Sequence, residues 1–400
     1  MRKLFFAVAA LLLAGSPALA QFDSNSAMNA PDQVAWQLFL YVNADAGGGN
    51  ATFETWINDT DTFKPDPVWP AMAKPLSLHP PILSLISRQE AQARGVTLPA
   101  APTNGDSLEE TRRNKPTFDF IFKHGLFKRS GLKSNFGQVL SFPKGPQLGD
   151  GPDDLSVEVK ANWDPVEDIP NFTKGAVKLS DVPKFFHVNK GGDGKMYALV
   201  SLHVISKLVP NWTWATFESR FNPGRCDIIG CKDAFGAAQS YVPPAATPNG
   251  EYTDCVKTAA LLALIAKAKL DPVFANYCLK GSQADLTDNT GLATRVGNSV
   301  TEQGFVDSSS CMSCHGRSSW DKTGANLSIF IGNKPDGNPI GSLGPIDPAW
   351  YWSFSANPPI YQGMPGLAQL RTSGDFVWSV GLCAYDDTAK PSKKSRCAGK

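Results

Sequence analysis

Cys311-Met312-Ser313-Cys314-His315 places two thiols three positions apart, with an imidazole directly after the second. Cys-x-x-Cys-His is the spacing at which a c-type haem is attached. The two thiols add across the two vinyl groups of the macrocycle, and the histidine ligates the iron from one face. A helix suits the task, because Cys311 and His315 are four residues apart and share a helical face. The thiol pair admits other chemistry. Structural zinc takes about four ligands, usually from a second closely spaced Cys/His pair, and the chain has no second Cys-x-x-Cys. A thioredoxin-like redox pair belongs at the start of a helix inside a βαβ unit. The approach from Gly304 to Ser310 is instead Ser-rich, with no apolar run. One covalent haem c per chain is the expected cofactor.

The residue across the iron decides the class of chemistry. An axial methionine raises the haem potential and saturates the iron for electron transfer, whereas an open side admits O₂ or peroxide. Met364, in Gln362-Gly-Met-Pro-Gly366 and 49 residues beyond His315, is the first candidate. Its plain alternative is a gap-filling core methionine. His203 is the rival, as ligand or as distal acid–base group; its plain alternative is a satisfied core histidine. Glu218 is a second acid–base candidate. Arg317 is placed to pair with a haem propionate, or else is a solvated surface arginine. Trp212 and Trp214 pack on the porphyrin or form ordinary core. His79, His124 and His187 read as structural or surface residues.

The elements that must position these groups begin after a leader. Arg2 and Lys3, the apolar run Leu4 to Ala14 and the small-x-small site Ala18-Leu19-Ala20 read as a secretory signal peptide over residues 1–20. That run is too short for a permanent membrane span, and no later stretch is longer. Cleavage takes Arg2 and Lys3 from 38 basic residues, leaving 36 against 37 acidic ones. A near-neutral chain argues against nucleic acid as partner; a redox partner protein or a small-molecule substrate is expected instead. Eight cysteines in an exported chain favour an oxidising compartment, so a periplasmic or secreted location is expected. Beside the motif, six cysteines remain. Nearest-neighbour bridges, Cys226–Cys231, Cys255–Cys278 and Cys383–Cys397, are the expected pairing, with free buried thiols as the alternative.

Pro31 and Asp32 open a helix with Val34, Leu38, Tyr41 and Val42 on its apolar face. Residues 81–94 read as a short helix closed by Gly95. Leu155 to Trp163 alternates strictly, with Ser156, Glu158, Lys160 and Asn162 opposite the apolar set, as in a half-buried strand. Met196 to Leu208 is apolar on both faces and reads as a central strand containing His203. Cys255 to Leu270 is the strongest helix signal, with Asp254 or Thr253 as cap.

Leu202-His203-Val-Ile-Ser-Lys207, Pro210-Asn-Trp-Thr-Trp-Ala-Thr-Phe-Glu218, Asn222-Pro-Gly-Arg-Cys226, Gly297-Asn-Ser-Val300 and Asp375-Phe-Val-Trp-Ser379 surround the haem motif. Together they resemble a family of exported bacterial mono-haem proteins within the c-type cytochromes. The resemblance spans most of the chain and implies one inseparable unit with a haem-bearing C-terminal part, but no particular reaction. The resulting reading is α+β. Residues 21–290 form a mixed region with central strands and flanking helices, and residues 291–400 form a mostly helical, cytochrome-c-like haem region.

Three functions are open. An electron carrier cycles its iron between His315 and Met364. A haem enzyme, peroxidase- or oxygenase-like, uses His203 or Glu218 beside an open iron. A binding module docks a partner through the large N-terminal part. Roughly 270 residues precede the haem region, enough for a whole further domain, so more than haem retention is expected of them. Electron transfer is the base expectation.

Overall fold

The computed structural model of the chain describes residues 23–81, 107–240, 255–268, 270–326, 332–333, 339–353, 368–389, 395 and 397. The leader, all but the first residue of the expected 81–94 helix, and Met364 lie outside them.

The strands β1 (Ile57–Asn58), β2 (Leu108–Arg113), β3 (Val157–Pro165), β4 (Val188–Lys190), β5 (Met196–Ser206), β6 (Thr213–Ser219) and β7 (Tyr277–Gln283) form one antiparallel sheet. Its order is β1-β2-β3-β5-β6-β7, with β4 paired to the start of β5. Successive side chains of a strand point to opposite faces, so the register sorts residues into two sets. Val159 lies between Arg112 and Val204, and Ala161 between Glu110 and Leu202. On the other face Glu158 lies between Arg113 and Ile205, and Lys160 between Thr111 and His203. β6 extends these rows, with Trp214 beside Ile205, Thr216 beside His203 and Glu218 beside Ser201.

The apolar face packs as its sequence predicts. Val157, Val159, Ala161, Trp163, Leu202 and Phe217 share a core with Trp36, Leu38 and Phe39 of the Pro31–Val42 helix. Trp36 meets Phe217 edge-on at 5.1 Å. Pro31 stands in the first turn of that helix, and the Asp32 carboxylate accepts the Ala234 N–H at 2.7 Å.

The polar face differs from expectation. The alternation in β3 predicts a solvated side, yet Glu158 is only 5 % exposed, His203 8 % and Glu218 0 %. The cover comes from the C-terminal part of the chain. Ile205 and Trp214 of the sheet, with Trp212 just before β6, share a second core with Phe305, Met312 and Trp378. Alternation reports that two faces differ in polarity and cannot report whether a later segment buries the polar one.

The mostly helical haem region is not observed. Beyond residue 291 the α-helices among the described residues are Cys311–His315 and Trp378–Cys383 alone. The remainder is loop with 3₁₀ turns and two-residue strands, such as Ser319–Trp320 paired with Thr372–Ser373. Gly316, Gly324, Gly341, Gly344, Pro345 and Pro348 interrupt any helical run there. The sheet supplies a ready wall, so this segment needs no helical bundle of its own. The fold is a mixed one built on an antiparallel sheet.

The expected Cys255–Leu270 helix is shorter. It runs Ala259–Lys267, and the Thr258 hydroxyl caps it by accepting the Leu261 N–H at 3.2 Å. Cys255 is bridged to Cys278 and Val256 accepts the Ala238 N–H, which keeps the preceding residues extended. Cys226–Cys231, Cys255–Cys278 and Cys383–Cys397 are the three disulfides, in the nearest-neighbour pairing, and they fit an oxidising compartment. Among the described residues no helix is long and apolar enough to cross a membrane.

Arg113 is the hub of the buried charge. It is fully enclosed, and its Nε donates to Glu158 at 3.0 Å while Nη2 donates to Asp59. Nη1 reaches Thr62 Oγ1 at 2.6 Å, and Nη2 also reaches Ser379 Oγ at 3.1 Å. One guanidinium thus ties two strands, the Asp59 turn and the C-terminal segment. Arg113→Met leaves Asp59 and Glu158 buried without a cation, and urea unfolding is expected to show a loss of about 3–5 kcal/mol. Adding Asp59→Asn and Glu158→Gln should restore much of that loss. A single variant as stable as the parent overturns the assignment.

Candidate functional site

Three contacts hold the five-residue helix Cys311–His315 against the sheet. Ser310 caps it, with its hydroxyl facing the Ser313 N–H at 3.4 Å and the Ser313 hydroxyl at 3.0 Å. Gln283, the last residue of β7, donates to Ser310 Oγ at 3.0 Å and accepts the Met312 N–H at 3.1 Å. Ser313 Oγ donates to the Gly344 carbonyl at 2.8 Å. The helix is thereby clamped on both sides although it has little more than one turn.

Its two thiols are the free cysteines of the described chain. They are not bonded to each other, and burial pushes both up from the ordinary thiol range. They therefore stand as neutral S–H groups. Among the described residues, no cluster of His, Cys, Asp and Glu ligand atoms close enough to hold a metal ion includes Cys311 or Cys314.

His315 completes the motif. Its Nδ1 lies 2.8 Å from the Phe376 carbonyl, which can only accept, so Nδ1 carries the proton. Nε2 is left with its lone pair and has no partner among the described residues, and His315 lines the cavity described below. Burial lowers this imidazole to about 4, keeping it neutral. Trp214 of β6 lies against the ring at 4.4 Å. The orienting carbonyl belongs to an unusual stretch. Asp375 and Phe376 have φ of 49° and 70°, a left-handed conformation that disfavours a side chain such as phenylalanine. Asp375 pays for it by accepting from Lys207 Nζ, at the end of β5, and from the Phe142 N–H at 2.8 Å. A chain of contacts thus runs from Lys207 through Asp375 to the Phe376 carbonyl and His315.

Both thiols and His315 line one cavity between the motif and the polar face of the sheet. Ile205, Trp214, Phe305, Trp378 and Leu382 give it apolar walls, while Glu109, Glu158, Lys160, His203 and Glu302 add ionisable groups. Lys160 Nζ pairs with Glu109 at 2.7 Å. Glu302 accepts the Asn298 N–H at 2.6 Å, and its carboxyl is raised by burial to about 7. His203 is held well below the ordinary imidazole range, first by burial and then by the nearby cations Lys160 and Lys280. Its 3.6 Å approach to Glu302 is too long for a hydrogen bond, and with a neutral ring it is not an ion pair.

The other candidates fall elsewhere. Glu218 does not line the cavity; its carboxylate accepts from the Ser299 N–H at 2.8 Å and from Asn222 Nδ2 at 3.1 Å, pegging two loops to β6. Arg317 also lies outside the lining and stacks on Trp350 at 4.5 Å, with Arg371 on the same indole at 4.0 Å. Trp212 is enclosed against Phe142, whereas Trp214 reaches the cavity. His187 binds Glu54 at 2.9 Å, His79 lies 2.9 Å from the Pro80 carbonyl, and His124 stacks on Phe120. Met364 is outside the described residues. Sequence reading overlooked Lys160, Asn298, Glu302 and the Phe376 carbonyl. The signal for Lys160 was the polar side of β3; Asn298 and Phe376 sit inside two segments that carry the family resemblance.

Comparison with protein-family models, curated proteins and solved structures finds no match to this chain. The site therefore rests on its own chemistry. Two neutral unpaired thiols, an imidazole lone pair and a mixed apolar and polar cavity fit a covalently held haem.

The Glu302 carboxyl gives a sign-definite test. Its folded value of about 7 exceeds the ordinary 4.5, so its contribution to stability is full below 4.5 and is lost as pH rises through 7. The loss is on the order of 3 kcal/mol. Asp164 and Asp233, raised by burial to about 6, slope the same way, so the comparison must be with Glu302→Gln. That variant should gain on the parent between pH 5 and pH 8 in urea unfolding. Equal pH slopes for the two proteins refute a buried, neutral-leaning Glu302.

Proposed function

We propose that this chain is an exported c-type haem protein that exchanges electrons through one iron, held beside a cavity equipped for proton handling. The carrying observation is that two unbonded thiols and His315, at the attachment spacing, line one cavity with mixed apolar and ionisable walls. Cys311 and Cys314 would hold the haem through thioethers, each S–H adding across one vinyl C=C with no net redox change. His315 would ligate the iron through Nε2, and the Phe376 carbonyl fixes both its tautomer and its ring plane, as hydrogen-bond acceptors behind metal-binding histidines do. Lys207 and Asp375 hold that carbonyl in place. A haem bound there supplies a one-electron iron couple and a coordination position for a small ligand.

Ionisable groups on the same cavity favour an exchangeable iron over a sealed carrier. Glu302 can hold or release a proton near neutral pH. Lys160, paired with Glu109, brings a cation to the same wall, where Arg317 was the expected propionate partner. The buried sheet and the three disulfides keep these groups fixed while the cofactor changes charge.

Expression in a host that matures c-type haem should give a protein heavier by one haem, with colour that survives denaturation. Cys311→Ala and Cys314→Ala should each leave one thioether, and the double variant none. The reduced protein should bind carbon monoxide. A chain with two freely alkylated thiols and no covalent haem sinks the proposal; covalent haem that ignores carbon monoxide replaces the open iron with the Met364-ligated carrier.

A further inference from the structure

The haem cavity contains a second imidazole, and its hydrogen bonds set it up oppositely to His315. Asn298 is completely buried. Its Oδ1 accepts two backbone N–H groups, from Val300 at 2.9 Å and Thr301 at 2.5 Å. Turning the amide over would face its NH₂ to those two donors, so the orientation of Asn298 is fixed by the network. Nδ2 is then the donor, shared by His203 Nε2 at 3.0 Å, Thr216 Oγ1 at 3.2 Å and Ser201 Oγ at 3.4 Å. An imidazole nitrogen that accepts carries no proton, so the single proton of a neutral His203 sits on Nδ1. No partner for Nδ1 is found among the described residues, and His203 lines the cavity. His315 thus offers the cavity a lone pair, and His203 offers it an N–H.

Close packing holds the residue responsible. Gly297, just before Asn298, has no room for a side chain, because a Cβ there would lie 2.6 Å from Ser309 Oγ. Next to Asn298, Ser299 is pegged to Glu218 through its N–H at 2.8 Å and its hydroxyl at 2.5 Å. The Gly297-Asn-Ser-Val300 segment and Glu218 therefore have a shared use, which is to hold one amide against one imidazole.

We propose that Asn298 locks His203 as a hydrogen-bond donor to an oxygen atom held at the haem, so that His203 is a binding group for an oxygen-bearing ligand and not an iron ligand. The inference rests on the haem reading above. The acceptor oxygen comes either from a small ligand on the iron or from a propionate carboxylate, and the test separates the two. Asn298 is a positioning residue, acting through His203.

The haem-loaded protein is compared with His203→Leu, His203→Gln and Asn298→Asp, each first checked for covalent haem by mass and for fold by circular dichroism. In the reduced carbon monoxide complex, His203→Leu should move the C–O stretch to higher frequency and speed O₂ dissociation about tenfold, the size of one lost hydrogen bond. His203→Gln, which keeps an N–H donor, should restore part of both. Asn298→Asp replaces the donor with an acceptor, drawing the His203 proton to Nε2 and turning the Nδ1 lone pair into the cavity. Its oxidised spectrum should become low-spin and its carbon monoxide binding should slow. A change confined to the propionate bending modes in resonance Raman supports the donor role with the propionate as acceptor. Loaded, folded variants in which neither the C–O stretch, the propionate modes nor the Asn298→Asp spectrum moves overturn the proposal. Absence of covalent haem in the parent is the separate failure of the haem reading.

Discussion

Burying the charged face of a β-sheet is the constraint on which this structure depends. A carboxylate or guanidinium taken out of water costs several kcal/mol unless it is paired and hydrogen-bonded. β2 and β3 carry Glu109, Arg113, Glu158 and Lys160 on that face, and each is answered. Arg113 engages Glu158 and Asp59, and Lys160 engages Glu109. Pairing fixes side-chain geometry as well as offsetting desolvation. The rows Arg113-Glu158-Ile205-Trp214 and Thr111-Lys160-His203-Thr216 then form a rigid wall that a second segment can be laid against.

The C-terminal segment is shaped by that wall. Gln283 grips the first turn of the Cys311–His315 helix, Trp214 lies on the ring of His315, and Ser379 reaches Arg113. The Asp375–Phe376 stretch has a backbone conformation that costs on the order of 1–3 kcal/mol per residue. It is retained because Lys207 and the Phe142 N–H hold Asp375, and its return is a carbonyl aimed at His315. Trp378 Nε1 donates to the Cys314 carbonyl at 3.2 Å, fixing the other end of the motif. The Cys383–Cys397 disulfide closes the far side of the same core, where Cys383 also meets the cavity. A C-terminal segment with few helices is stable here because the sheet and these cross-ties do the work of a helical shell.

Two neutral histidines in one cavity can be told apart by what holds their remote nitrogens. A carbonyl behind His315 leaves a lone pair in front; an amide N–H behind His203 leaves an N–H in front. That difference separates an acceptor from a donor, and neither burial nor the depressed basicity of both rings would reveal it.

The sequence by itself determined the chemistry-bearing residues that are close in the chain. The Cys311 to His315 spacing is local, so it was legible without any fold. The Pro31–Val42 helix, β3 and β5 were legible because periodicity and end residues act within a dozen positions. The disulfide pairing followed sequence proximity, since short loops close most readily. What the chain order could not carry was the meeting of distant segments. The polar side of β3 reads the same whether water or another segment covers it, and only the tertiary structure brings residues beyond 291 onto it. The same is true of Glu218, whose carboxylate reads as a free acid until Ser299 and Asn222 are seen to occupy it. Asn298 and His203 are 95 positions apart, and which nitrogen holds the proton exists as a property of their contact alone.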